Sequence, residues 1–213
     1  MAFKTQGIPN KTMTNERYTA INIRAYINKG EAAYIGEREL QELLSYFSCP
    51  VNPDVEYFLQ HNAVDFTKKD QSVTYLVFSK ENNDLAGYFS LALKPVSVRA
   101  DRLSKSAARK LSRVSVLNEE NNTYTASAYL IAQLGKNFAL PEGDRIDGET
   151  LLEIALNTVR TVKYFLGGVI VFLECENVVA LMDFYMRNGF KYFDSRITSG
   201  ENPRILNQLL RLI

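Results

Sequence analysis

The chain has 213 residues, 46% of them hydrophobic and 11% aromatic, which is enough apolar material for a sizeable core and excludes a disordered chain. A formal charge of +1 excludes a global attraction to nucleic acid or membrane and leaves any such role to a local patch. No apolar run is long enough to span a bilayer, the N-terminal MAFKTQGIPNKTMTNERY lacks a secretion-type apolar stretch, and Cys49 and Cys175 lack disulfide-framework or zinc spacing, so a soluble cytoplasmic protein without a metal is expected.

Residues 1–16 read as a flexible polar tail, and residues 17–213 as a single domain, since no repeat or linker divides them. Tyr18 to Ile27 alternates as a strand. Glu37 to Phe47 places Leu40, Leu43, Leu44 and Phe47 at helical spacing. A second helix starts near Pro53, where the missing N–H costs nothing, and carries Val55, Phe58, Leu59, Ala63 and Phe66. SVTYLVFSK and LAGYFSLAL, joined by Glu81-Asn82-Asn83-Asp84, predict an antiparallel hairpin.

After Pro95 comes a basic insertion at about 97–122. If RADRLSKSAARKLSR is helical, Arg102, Lys105, Arg109 and Arg113 share one face, with Leu103, Ala107, Leu111 and Val114 opposite. YTASAYLIAQL reads as a strand. A helix follows from Gly148 to about Phe165, striped by Leu151, Leu152, Ala155, Val159, Val162 and Leu166 and stopped by Gly167-Gly168. VIVFLEC is apolar throughout, as a strand covered on both faces must be. Asn177 is placed to cap the next helix, which carries Val178, Leu181, Met182 and Tyr185 on one stripe and stops at Gly189. FKYFDSRI and ILNQLLRLI close the chain as strands. The order implies an α/β fold in three layers, a mixed sheet with helices on both faces and a right-handed crossover between parallel strands.

AYLIAQLGKN, IDGETLLEIAL and GGVIVFLECENVVALMDFYMRNGF resemble the central strand, glycine-opened helix, and following strand and helix of the GNAT acyltransferases. FSCPVNPDVEYFLQHNAVDF and the hairpin strands resemble the subgroup that includes GNAT-type toxins of toxin–antitoxin pairs. The resemblance covers roughly residues 45–95 and 124–213. It implies acetyl transfer from acetyl-CoA to a primary amine, and a splayed parallel strand pair holding the pantetheine arm. By this resemblance the backbone of Leu134 and Lys136 bonds the arm. The pyrophosphate rests on Gly143, Asp144, Arg145, Ile146, Asp147 and Gly148, where a loop enters a helix, a natural anion site. Asn177 lies near the cofactor, and Tyr185 is the general acid. In the toxins the acceptor is aminoacyl-tRNA, whose phosphates the strip of Arg102, Lys105, Arg109 and Arg113 would hold. A small-molecule or protein amine, a non-catalytic interaction module, a homodimer and an antitoxin partner remain open.

The loop departs from the family pattern of Gln/Arg-x-x-Gly-x-Gly/Ala, because Gly143 and Ile146 stand where a polar side chain and a glycine are usual. Glu142, Asp144 and Asp147 also bring carboxylates toward the phosphates. Two like charges about 6 Å apart at an effective dielectric of about 20 repel by roughly 3 kcal/mol, so these groups must point outward or be offset by Arg145. On spacing alone Tyr185 reads as a packing residue of the apolar stripe, and it is the resemblance that turns the reading toward a general acid. Glu174 and Glu176 flank Cys175 as candidate bases, with rim solvation as the competing role. His61, the one histidine, makes no triad and reads as structural.

Overall fold

The computed structural model describes residues 16–199 and 203–213. All of the expected tail except Glu16 lies outside them. The chain opens with β1 (Tyr18–Asn22) and turns at once into the short α1 (Arg24–Ile27). The strand expected to reach Ile27 therefore stops five residues early, because the Asn22 side chain accepts the N–H of Arg24 at 3.0 Å and turns the backbone out of the ladder. Helix α2 (Glu37–Ser45) follows, buried at Leu40 and Leu44.

The second expected helix is one helical run with a π-turn inside: α3 (Pro53–Tyr57), the π-turn Phe58–Asn62 and α4 (Ala63–Lys68). Asn52 caps it, and its first turn holds Pro53 as expected. His61 sits in the π-turn, stacked on Tyr57 at 4.3 Å and bonded to the Tyr57 carbonyl.

Strands β2 (Val73–Ser79) and β3 (Leu85–Arg99) form the hairpin. Strand β3 does not end near Pro95. It runs to Arg99, paired throughout with β5 (Thr123–Lys136), so the basic excursion occupies only residues 100–122 at the tip of this long ladder. Within it, α5 covers Lys105–Leu111 and β4 covers Leu117–Asn118. Of the expected cationic face only Lys105 and Arg109 are helical. Arg102 closes a preceding 3-10 turn and Arg113 lies beyond the helix end.

Helix α6 (Gly148–Leu166), β6 (Ile170–Glu176), α7 (Val179–Arg187), β7 (Lys191–Ile197) and β8 (Ile205–Leu212) complete the fold. Helix α6 buries Leu151, Leu152, Ala155 and Val159, but Leu166, expected on that stripe, projects into solvent beyond the last packed turn. Val178 is likewise half exposed rather than part of the α7 stripe.

Among the described residues the eight strands form one mixed sheet, ordered β1-β2-β3-β5-β6-β8-β7 with β4 beside β5. On one face Tyr75, Phe89, Ile131, Val171 and Leu173 pack against α6 and α7. On the other, Leu76, Leu85 and Tyr88 meet α2, α3 and the π-turn, while Val98, Phe172, Phe193 and Leu210 are covered by Leu111 of α5. This is the expected three-layer architecture.

Candidate active site

The parallel strands β5 and β6 pair only at Tyr129–Val171, Leu130–Phe172 and Ile131–Leu173. Beyond that register β5 continues along β3 and β6 along β8, so each keeps its outer partner and loses its inner one. The sheet opens into a seam. Asn137 donates its backbone N–H to Ala86 on the β3 side at 2.9 Å, and alternation along the strand then turns the backbone groups of Leu134 and Lys136 toward the seam.

A cavity of about 690 Å³ lies at the seam's mouth, within the range of small-molecule sites. Its walls come from both layers: Gly148 of α6, Phe184 and Tyr185 of α7, and Asn52 and Val55 at the start of α3. Leu134 and Lys136 also line it, whereas Gly143, Asp144, Arg145, Ile146, Asp147 and Asn177 do not.

Close packing sets the seam's edge. A Cβ on Gly135 would lie 2.5 Å from Val55 Cγ1 and 3.1 Å from the rings of Phe47 and Tyr88. The Tyr88 hydroxyl donates to the Val55 carbonyl at 2.6 Å, locking α3 against the strand. We expect Gly135→Ala to cost about 1–3 kcal/mol by overpacking, readable as a lowered denaturation midpoint. An unchanged midpoint would mean that α3 is not held against β5.

The loop before α6 is braced by its own residues. Arg145 donates to the carbonyls of Leu140 (2.8 Å) and Phe138 (3.0 Å) and stacks over the Phe138 ring. Of the two expected ways to relieve the loop carboxylates, an offset by Arg145 is therefore not the one used: the tight turn leaves carbonyls that need donors, and the guanidinium fork meets them. Glu142 and Asp144 project outward, and Ile146 is buried. Asp147 caps α6, accepting from Thr150 N (2.7 Å) and Thr150 Oγ1 (2.6 Å). Burial alone would raise its pKa, but these bonds outweigh burial and hold it below the usual carboxylate range. A charged carboxylate thus occupies part of the helix N-terminus.

Asn177 does not cap α7. The cap position falls to Val178, without a side-chain bond, because the Asn177 side chain is engaged by Asn207 of β8 at 3.0 Å. Glu174 is gripped by Arg196 (2.6 and 2.5 Å) and Gln208 (2.7 Å). Burial pushes its pKa up, but these partners outweigh burial and lower it, leaving a poor proton acceptor. Glu176 lines the cavity and pairs with Arg204 at 2.7 Å.

Tyr185 is 9% exposed and packs edge-on against Phe184 and Phe190 at 5.0 and 5.9 Å. It belongs to the core cluster and also lines the cavity, so packing and access to the cavity coincide in one residue. Burial, then the neighbouring Cys175, pushes the phenol well above its ordinary pKa. Cys175 is itself pushed up to about 11 by burial and then by Glu176. Both stay protonated at neutral pH, so the Tyr185 hydroxyl carries its proton there.

No family model and no curated protein matches the chain. Solved structures do. AtaT complexed with acetyl-methionyl-tRNA is 20% identical, with a TM-score of 0.57 over 89% of this chain and 93% of that one. A tyrosine-to-phenylalanine mutant of KacT is 18% identical, with a TM-score of 0.55 over 91% and 95%. AtaTR bound with acetyl-CoA is 18% identical, with a TM-score of 0.52 over 93% and 94%. The chain has a GNAT-like fold.

Three participants had escaped the sequence reading. Asn137, 3% exposed, accepts from Ser48 N (3.0 Å) and Ala139 N (3.1 Å) and donates to Leu85 O (2.8 Å), tying three segments behind the seam. Arg204 joins Glu176 to Asp54 across the cavity's rim. Gly135 provides the close approach described above. Only the Gly135-Lys136-Asn137 run just past an alternating strand hinted at an interruption there.

Proposed function

We propose that this chain is an acetyl-CoA-dependent N-acetyltransferase, acting by direct attack of a primary amine with no covalent enzyme intermediate. The observation that carries this is the seam past Ile131 and Leu173, open onto a cavity with Tyr185 in its wall. Acetyl-CoA supplies an activated thioester. Leu134 and Lys136 offer unpaired backbone groups to an extended chain laid in the seam, and Gly148 leaves room at the loop side, where a Cβ would lie 3.3 Å from the Phe184 ring. As the amine nitrogen bonds to the acyl carbon and the carbon–sulfur bond breaks, Tyr185 donates to the departing sulfur, the amine's proton leaves to water, and Tyr185 regains a proton from water to close the cycle.

The acceptor we propose is the amine of aminoacyl-tRNA, supported by the likeness to AtaT complexed with acetyl-methionyl-tRNA. In this reading Arg102, Lys105, Arg109 and Arg113 of the excursion meet the RNA.

Calorimetry tests the first step: micromolar binding of acetyl-CoA is expected. The Asp147 carboxylate on the α6 N-terminus favours a second reading, a GNAT-like interaction module that has lost the cofactor. Absence of binding would replace the enzyme by that module.

A further inference from the structure

A second cleft, of about 260 Å³, lies away from the seam, between the basic excursion and the β7–β8 edge. Two distant parts of the chain furnish its cations: Arg102 and Lys110 from the excursion, Lys191 and Arg211 from the closing strands. Ser104 and Ser106 add hydroxyls, and no acidic side chain lines it. Arg102, Lys110 and Lys191 are exposed, and among the described residues none of them has a carboxylate in an ion pair. Asp101, whose charge feels Arg102, is already bonded to Arg99 at 2.7 Å. Arg211 is partly committed, donating to the Asn188 carbonyl at 2.9 Å.

Cations gathered from separate elements without counter-charge repel one another, and a bound anion relieves that repulsion. The cleft also contains Tyr192, 43% exposed, an aromatic face beside the positive groups. Cations for phosphate and a ring for stacking are the two components of nucleotide recognition without sequence readout. We propose that this cleft binds a nucleotide, with its phosphate on Arg102, Lys110 and Lys191 and its base against Tyr192.

This set differs from the helical strip expected from sequence: Lys105, Arg109 and Arg113 lie outside the cleft. Arg211 pairs with Val171, five residues before Glu176 at the rim of the main cavity, roughly 16 Å at about 3.3 Å per residue. A strand held here can therefore extend to the seam. The inference bears on the acceptor of the proposed reaction, but its test does not pass through acyl transfer, so either can fail alone.

The test is fluorescence titration with a short mixed-sequence oligoribonucleotide and, separately, with ADP, across a range of salt. The oligonucleotide is expected to bind the wild type. Arg102→Gln/Lys110→Gln/Lys191→Gln should weaken it more than about tenfold and flatten the log–log salt dependence by about 2. Tyr192→Ala should weaken it at least about fivefold with the salt slope retained. The control, Lys29→Gln/Lys68→Gln/Lys69→Gln, removes three exposed cations that line neither cleft and should bind nearly as the wild type does. ADP binding lost in the same variants would extend the site to free nucleotides, and binding of the oligonucleotide alone would assign it to a strand. No oligonucleotide binding, or equal losses in both triple variants, would overturn the proposal.

Discussion

Tyr185→Phe is expected to lower turnover by about 10²–10⁴-fold, the range of a general acid, and to leave acetyl-CoA affinity unchanged. Phenylalanine keeps the ring against Phe184 and Phe190, so the fold should persist and the loss should fall on chemistry. Burial holds the phenol protonated far above neutral pH, so the wild-type rate should show no descending limb from Tyr185 below about pH 10. Steady-state kinetics of both proteins, with calorimetry for cofactor binding, checks this. Full turnover in the variant would return Tyr185 to a packing role.

Asn137→Ala is expected to be among the most damaging single changes outside the hydrophobic core. The side chain satisfies two N–H groups and one carbonyl from different segments, and stranding buried polar groups costs about 1–3 kcal/mol each. Partial hydration offsets some of this, so roughly 3 kcal/mol is expected in all, a melting-temperature loss of roughly 6–12 °C at about 2–4 °C per kcal/mol. Ser48 precedes the segment leading to α3, and Leu85 opens β3, so acetyl-CoA affinity should fall with stability. Thermal unfolding followed by circular dichroism measures the first effect. An unaltered transition would show that Asn137 does not brace the seam.

Much of the architecture was legible because its signals are local. The uninterrupted apolar run at β6, the stripe at Leu151, Leu152, Ala155 and Val159, and the Gly167-Gly168 stop each reside within one element and survive without a tertiary partner. DFYMRNGF placed Tyr185 one turn before a helix end, and the motif's resemblance attached a role to it. Misreadings arose where a side chain had two possible partners. Asn177 looked like a cap until Asn207 claimed it, and of the two roles left open around the loop carboxylates, the counter-charge role of Arg145 gave way to the loop's carbonyls. Local spacing cannot rank partners that the chain brings together from a distance.

The sequence by itself determined the order of the main elements, the three layers and most of the residues facing the core, since periodicity and glycine stops act over a few residues. Tertiary structure alone decided where β5 and β6 part, that Gly135 must lack a side chain, that Arg204 reaches Asp54, and that Lys191 joins Arg102 in one cleft. Those facts depend on strand register and on contacts between residues far apart in the chain, which exist only once the core has closed.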